Sequence, residues 1–289
     1  MKYKETRYGM MMFPEEDLLV GRSLDVYGEF QQLKVNFLES LVSPGDVAID
    51  VGANIGSITV PLAKKIGSEG YVLSLEAHSM LFMILCGNLA ANDLKQVQCF
   101  QRAASDKTGS LFYFPHLDFS KNANFGGIKL AGLLNSKEDD RVYDNPVTAV
   151  AIDDLGIAKP KLIKISANGM EPVVLNGLRK TIKRSKPILY VSFSNNYRYI
   201  LEYLASIGYD WQLHETPYFN PNNFQNVKEN IFDPHDSKSL DIVCWHRDEK
   251  PNFNDLYFVD LDSSVDSRHI KIKEIRDDTN TGDFDIESD

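Results

Sequence analysis

The run Val47-Ala-Ile-Asp50-Val-Gly52-Ala-Asn54-Ile-Gly56 constrains this chain more than any other stretch. An apolar strand that ends in an acid and turns through glycine into a helix brings the backbone close to a nucleotide-like cofactor. Gly52 lets the turn approach a ligand with no Cβ in the way, and Gly56 lets the following helix pack closely on the strand. Ile58, Val60, Leu62, Ala63 and Ile66 then recur at roughly helical spacing, with Pro61 early enough to be tolerated in the first turn.

The glycine spacing narrows the ligand. A dinucleotide fingerprint reads GxGxxG, but the position two after Gly52 is Asn54 and the next glycine is Gly56. A phosphate-cradling loop would need a Lys followed by Ser or Thr, and none follows this turn. An adenosine ligand without a phosphate chain fits better, and S-adenosylmethionine is the expected cofactor. Tyr71 to Leu75 reads as the next strand, and Glu76 at its tip is placed to accept hydrogen bonds from two ribose hydroxyls. Asp50 is expected to face the amino acid portion of the ligand, and Asn54, Gly56 and Ala103 complete the expected cofactor set. The bland alternative is an ordinary βαβ unit with a glycine turn.

The chain has 289 residues, and a hydrophobic fraction of 43% is ample for a sizeable core. A formal charge of −10 and a pI near 5.1 argue against a nucleic acid partner, because phosphate backbones are bound by concentrated Lys and Arg. Cys86, Cys99 and Cys244 are widely spaced with no CxxC pair, which indicates neither a disulfide framework nor a zinc knuckle and fits a reducing cytoplasm. No run of about 18 apolar residues occurs, so a soluble protein without membrane association is expected.

Residues 1–44 read as an N-terminal extension with a helix from Glu29 to Leu41 that buries Leu33, Phe37, Leu38 and Leu41. Strand and helix signals alternate over residues 45–250, which predicts an α/β fold built on a doubly wound, mostly parallel seven-stranded sheet. His116 to Asp144 is polar and too long for a simple connection, so it reads as a binding loop or lid. Leu162 to Ile165 is a buried strand that leads through Ser166-Ala-Asn168-Gly169 into a helix begun at Pro172. Residues 251–289 turn acidic without apolar periodicity and read as a mobile tail. In an open parallel sheet ligands sit beyond the carboxyl ends of the strands, which selects Asp50, Glu76, Ser166 to Asn168 and Ser192, with the segment around Asn124 able to fold over them.

From Gly21 to Trp245 the chain resembles the FkbM family of S-adenosylmethionine-dependent methyltransferases. The segments that carry the likeness are GRSLDVYGEF, PGDVAIDVGANIG, NFGG at Asn124, LIKISANGMEPVVLNG and ETPYFNPNNFQNVKENIF. The resemblance implies a Rossmann-like class I methyltransferase sheet with one antiparallel strand, and O-methylation of a hydroxyl on a sugar, glycan or small metabolite. It also exposes a departure. Family members typically read KIDVEG where this chain has Lys164-Ile-Ser166-Ala-Asn168-Gly169, and typically carry Glu where it has Ser192.

Three expected carboxylates are therefore replaced together. An alkyl hydroxyl attacks a sulfonium methyl more readily when a base takes its proton. Ser and Asn orient a hydroxyl but cannot accept its proton near neutral pH. Ser166, Asn168 and Asn124 are the expected acceptor-side residues, with His214 and Glu171 as substitute bases. Methyl transfer and a catalytically silent, cofactor-binding relative are the two functions this leaves open. A metal ligand set is not indicated, and the oligomeric state is left open.

Overall fold

Leu162–Ile165 is buried on both sides, and so is most of Val47–Val51. A strand can be covered in this way only where helices lie on both faces of its sheet. The computed structural model describes residues 1–128, 146–232, 238–249, 251–253 and 258–259. In chain order these form an N-terminal hairpin of β1 (Lys2–Thr6) and β2 (Gly9–Phe13), helices α1 (Val20–Tyr27) and α2 (Gln32–Ser40), then β3 (Val47–Val51), α3 (Thr59–Ile66), β4 (Tyr71–Glu76), α4 (Ser79–Ala91) and β5 (Val97–Gln101). Three short strands follow, β6 (Ala103–Ala104), β7 (Leu111–Phe112) and β8 (Val147–Val150). The second half holds β9 (Leu162–Ile165), α5 (Glu171–Asn176), α6 (Arg179–Ser185), β10 (Ile188–Ser192), α7 (Tyr197–Ser206), β11 (Tyr209–Pro217), β12 (Lys238–His246) and β13 (Phe258–Val259).

The central sheet has eight strands in the order β13-β11-β12-β10-β9-β3-β4-β5. From β10 to β5 every neighbouring pair is parallel. β12 runs against both β10 and β11, and β13 runs against β11. The α/β, mostly parallel sheet is as expected, but there are eight strands rather than seven, and two of them are reversed rather than one. The extra strand falls in the segment read as a mobile tail. Phe258 continues a row of side chains beyond His214, and its ring and that of Phe253 pack against Phe37. Apolar anchors outside any periodic pattern are enough to dock it. Residues 260–289 lie outside the described residues.

Successive strand residues face opposite sides, and the core divides accordingly. Ala48, Val72, Leu162 and Tyr190 share one core with Met11 and Phe13 of the hairpin, Leu24 of α1, Leu38 of α2 and Leu85 of α4. Ile49, Leu73, Ile163 and Leu189 share the other with Val174, Ile182 and Ile200. The segment before Pro44 thus supplies a hairpin and two helices to the first core, where the sequence suggested one helix. Phe37, Leu38 and Leu41 are buried as expected, but Leu33 is only half-buried, while Lys34 and Val35 beside it are buried.

Beside the main sheet, β6, β8 and β7 form a small three-stranded sheet. It carries the chain from the end of β5 past the cavity described below. The part of the expected lid that is described ends at Ile128, and residues 129–145 lie outside the described residues.

Candidate active site

A cavity of about 300 Å³ opens beyond the carboxyl ends of β3, β4, β9 and β10. This is the position the parallel-sheet rule selects, and the volume lies at the small end of the roughly 300–1,000 Å³ typical of small-molecule sites. The turn after β3 forms one wall through Gly52, Ala53 and Asn54. Gly52 has φ +72°, and a Cβ there would lie 2.0 Å from the Ser166 carbonyl oxygen. Its requirement for glycine therefore comes from the neighbouring strand end as much as from a ligand. Asn54 follows in the left-handed region, a conformation that Asn tolerates better than most residues.

Glu76 closes the tip of β4. One carboxylate oxygen accepts the Asn54 N–H at 2.7 Å and the other the His78 N–H at 2.8 Å. Burial pushes its carboxyl above the usual range, against the N–H groups of His78, Asn54 and Ala77 and the charge of Lys164, which pull it down. Leu81, Ala103 and Phe114 add apolar surface to the wall.

Asp50 is not on the wall. It is fully buried, bonded by the Thr59 hydroxyl at 2.7 Å and paired with Lys164 at 2.9 Å. The parallel register sets Asp50 opposite Lys164, which draws the carboxylate sideways into the sheet instead of toward a ligand. Lys164 also donates to the carbonyls of Val51 and Gly52, so the pair straps the turn in place and Lys164 reaches the wall. Gly56 is likewise off the wall, packed against Leu85 of α4.

The structure brings Ser166, Asn168, Ser192 and Asn124 to the same cavity. The Ser166 and Ser192 hydroxyls lie 2.7 Å apart. Asn168, with φ +50°, donates through its amide to the carbonyls of Gly126 and Ile128 and so ties down the Phe125–Gly127 turn. A Cβ on Gly126 would lie 2.3 Å from the Asn54 amide nitrogen, so glycine is what lets this turn close over the site.

Neither substitute base reaches the cavity. Glu171 is buried, and its carboxylate accepts the N–H groups of Ala167 and Gly169, closing the turn after β9. His214 has no exposed surface. Its Nδ1 meets the Tyr190 hydroxyl at 3.0 Å, and its ring lies against Phe37 at 4.2 Å between centroids. Antiparallel pairing with β12 puts it one strand too far from the cavity.

Three polar residues that sequence reasoning passed over are central to the site. Lys34 lines the cavity and pairs with the fully buried Asp241 at 2.8 Å, and its ammonium donates to Ser239 at 2.6 Å. Burial holds Lys34 below the usual lysine range, partly offset by Asp241. The available signal was a charged residue inside an apolar stretch, Lys34 between Leu33 and Val35 and Asp241 between Leu240 and Ile242. Among the described residues, no group of three or more His, Cys, Asp or Glu is arranged to hold a metal ion. None of the described helices is long and apolar enough to cross a membrane.

No curated protein matches the chain. Among solved structures it is similar to the FkbM methyltransferase of Methylobacillus flagellatus KT, at 17% identity and a TM-score of 0.47 over 78% of this chain and 51% of that one. It is also similar to precorrin-6y C5,15-methyltransferase of Geobacter metallireducens GS-15, at 13% identity and a TM-score of 0.43 over 74% and 86% of the two chains. A third is the O-methyltransferase of Bacillus cereus in complex with SAH, at 14% identity and a TM-score of 0.43 over 75% and 80%. The assignment rests instead on the family model for the methyltransferase FkbM domain, which matches residues 50–227, from the acid near the end of β3 to beyond β11. The chain belongs to the FkbM methyltransferase domain family and is a methyltransferase.

Proposed function

We propose that the chain binds S-adenosylmethionine in this cavity and transfers its methyl group to a hydroxyl of a sugar, glycan or small metabolite. The observation that carries the reading is Glu76, buried at the tip of β4 beside the glycine turn of β3. Its oxygens accept backbone N–H groups, and a carboxylate's four acceptor sites still leave room for a ribose hydroxyl. The apolar surface of Leu81, Ala103 and Phe114 suits a flat apolar base. Lys34 and Lys164 are each committed to a carboxylate, so neither is set up as a phosphate clamp. These residues fit an adenosine ligand with no phosphate chain. The bound cofactor would supply an electrophilic methyl group, and the chain would supply position and a path for the acceptor's proton.

Calorimetric titration with S-adenosylhomocysteine, with NAD as a control, tests the cofactor. Mass spectrometry of a panel of glycans and hydroxylated metabolites incubated with S-adenosylmethionine then tests transfer. Binding of NAD in place of S-adenosylhomocysteine would sink the cofactor assignment. Binding without transfer to any acceptor would favour the silent, cofactor-binding relative.

A further inference from the structure

A methyl transfer to a hydroxyl leaves a proton to dispose of, and Ser166, Asn168 and Ser192 have no group that holds one near neutral pH. A carboxylate stands directly behind them. The antiparallel register sets Asp241 of β12 opposite Ser192 of β10, so both side chains share one face of the sheet. The Ser192 hydroxyl donates to Asp241 Oδ1 at 3.3 Å. On the other oxygen, Asp241 Oδ2 receives the Lys34 ammonium at 2.8 Å, the Ser239 hydroxyl at 2.6 Å and the Tyr190 hydroxyl at 3.1 Å.

The polarity of this chain follows from proton counting. An ionised carboxylate only accepts. Ser192 has one hydroxyl proton and gives it to Asp241, so the contact between Ser166 and Ser192 has Ser166 as the donor. Ser166 is then left with a free lone pair at the cavity wall.

Resting on the methyl-transfer reading, we propose that Ser166 takes the acceptor's hydroxyl proton and that Ser192 passes the charge to Asp241, so that a carboxylate on β12 serves a cluster with no acid of its own. As the C–O bond forms, the C–S bond breaks and its electron pair stays on sulfur. The alkylated oxygen gives its proton to Ser166 Oγ while the Ser166 proton moves to Ser192 and the Ser192 proton to Asp241 Oδ1. The positive charge lost from sulfur ends as a neutralised carboxylate, which later returns its proton to water. A proton on an alkylated oxygen is strongly acidic, so a carboxylate already stabilised by Lys34 is base enough. Ser166 is the catalytic residue here, and Ser192, Asp241 and Lys34 act through it.

Removing Asp241 would strand the Lys34 charge and threaten folding, so the test is made at Ser192. Ser192→Ala and Ser192→Thr are compared with the wild-type full chain for S-adenosylhomocysteine affinity and single-turnover methyl transfer. The Ser166 and Ser192 hydroxyl protons are followed by NMR of serine-labelled protein without cofactor. Ser192→Ala is expected to keep its affinity within about twofold and lose about a hundredfold in rate. Ser192→Thr, which keeps the hydroxyl, should recover most of it. The wild-type Ser192 hydroxyl proton should be protected and shifted downfield by its charged acceptor, and Ser166 should lose protection in Ser192→Ala. An unchanged rate in Ser192→Ala, no rescue by Thr, or an unprotected Ser192 hydroxyl would overturn the relay and leave the methyl-transfer reading standing. A wild-type chain that binds S-adenosylhomocysteine but transfers to no hydroxyl acceptor would overturn that reading and the relay with it.

Discussion

The side-chain amide of Asn168 donates to the main-chain carbonyl of Gly126 at 2.9 Å, and it also donates to Ile128 at 2.9 Å. The residue found where the resemblance implied a carboxylate is thus a donor that fixes the turn over the cavity. Asn168→Asp keeps the shape but sets an acceptor against two carbonyl oxygens. At about 0.5–1.5 kcal/mol per lost bond, the variant should be about 1–2 kcal/mol less stable. Hydrogen exchange over residues 124–128 should speed up, and unchanged exchange there would refute the tie.

Lys164 and Asp50 form a buried pair between adjacent strands. Breaking such a pair on one side leaves an uncompensated charge and costs about 3–5 kcal/mol. Lys164→Met should therefore unfold in urea at a much lower midpoint, and the double variant Lys164→Met with Asp50→Leu should recover part of the loss. Equal stability of the single and double variants would rule out the pairing as the cause.

At Glu76 the two readouts are ligand affinity and pH dependence. Glu76→Ala should weaken S-adenosylhomocysteine binding tenfold or more, the equivalent of about 1.5–3 kcal/mol for a charge-assisted hydrogen bond. Burial raises this carboxyl above its usual range, so the folded chain holds the proton more tightly than the unfolded chain. Its contribution to stability is present below the ordinary carboxyl range and is lost as pH rises through the raised value. Without ligand, the melting temperature of Glu76→Gln should gain on that of the wild type over that interval. A constant difference would contradict it.

Restoring acids to the cluster should now act through Asp241. Ser166→Asp with Ser192→Glu places two carboxylates beside one that is already buried, and like charges at that distance resist joint ionisation. The double variant should melt below the wild type without metal and rise on addition of Mn²⁺. Calorimetry checks both, and no response to Mn²⁺ would show that the three groups do not converge.

Truncation separates the end of the chain into two parts. Removal of residues 260–289 should leave the melting temperature unchanged, since an acidic segment without apolar periodicity buries little. Removal from residue 250 onward also takes away Phe253 and Phe258, which pack on Phe37. At about 1.5–3 kcal/mol for each large apolar side chain if fully buried, and less for these two half-buried rings, the second truncation should lower the melting temperature clearly. Equal effects would place the boundary elsewhere.

The sequence by itself determined what depends on neighbours along the chain. Leu162–Ile165 is a strand because four residues with almost no solvated face need a covered position, and α3 follows the helical spacing of Ile58, Val60, Leu62, Ala63 and Ile66. The turn at Gly52 and the acid at Glu76 were legible for the same reason, since a strand end and its turn are local. What the tertiary structure decided was which side chains meet across strands. Asp50 turned from the cavity because β9, more than a hundred residues later, set Lys164 opposite it. His214 was kept from the site, and Asp241 brought to it, by sheet order, because β12 lies beside β10 and β11 lies beyond β12. Local periodicity records burial, but sheet order and register set the partners, and those are fixed only when the whole core packs.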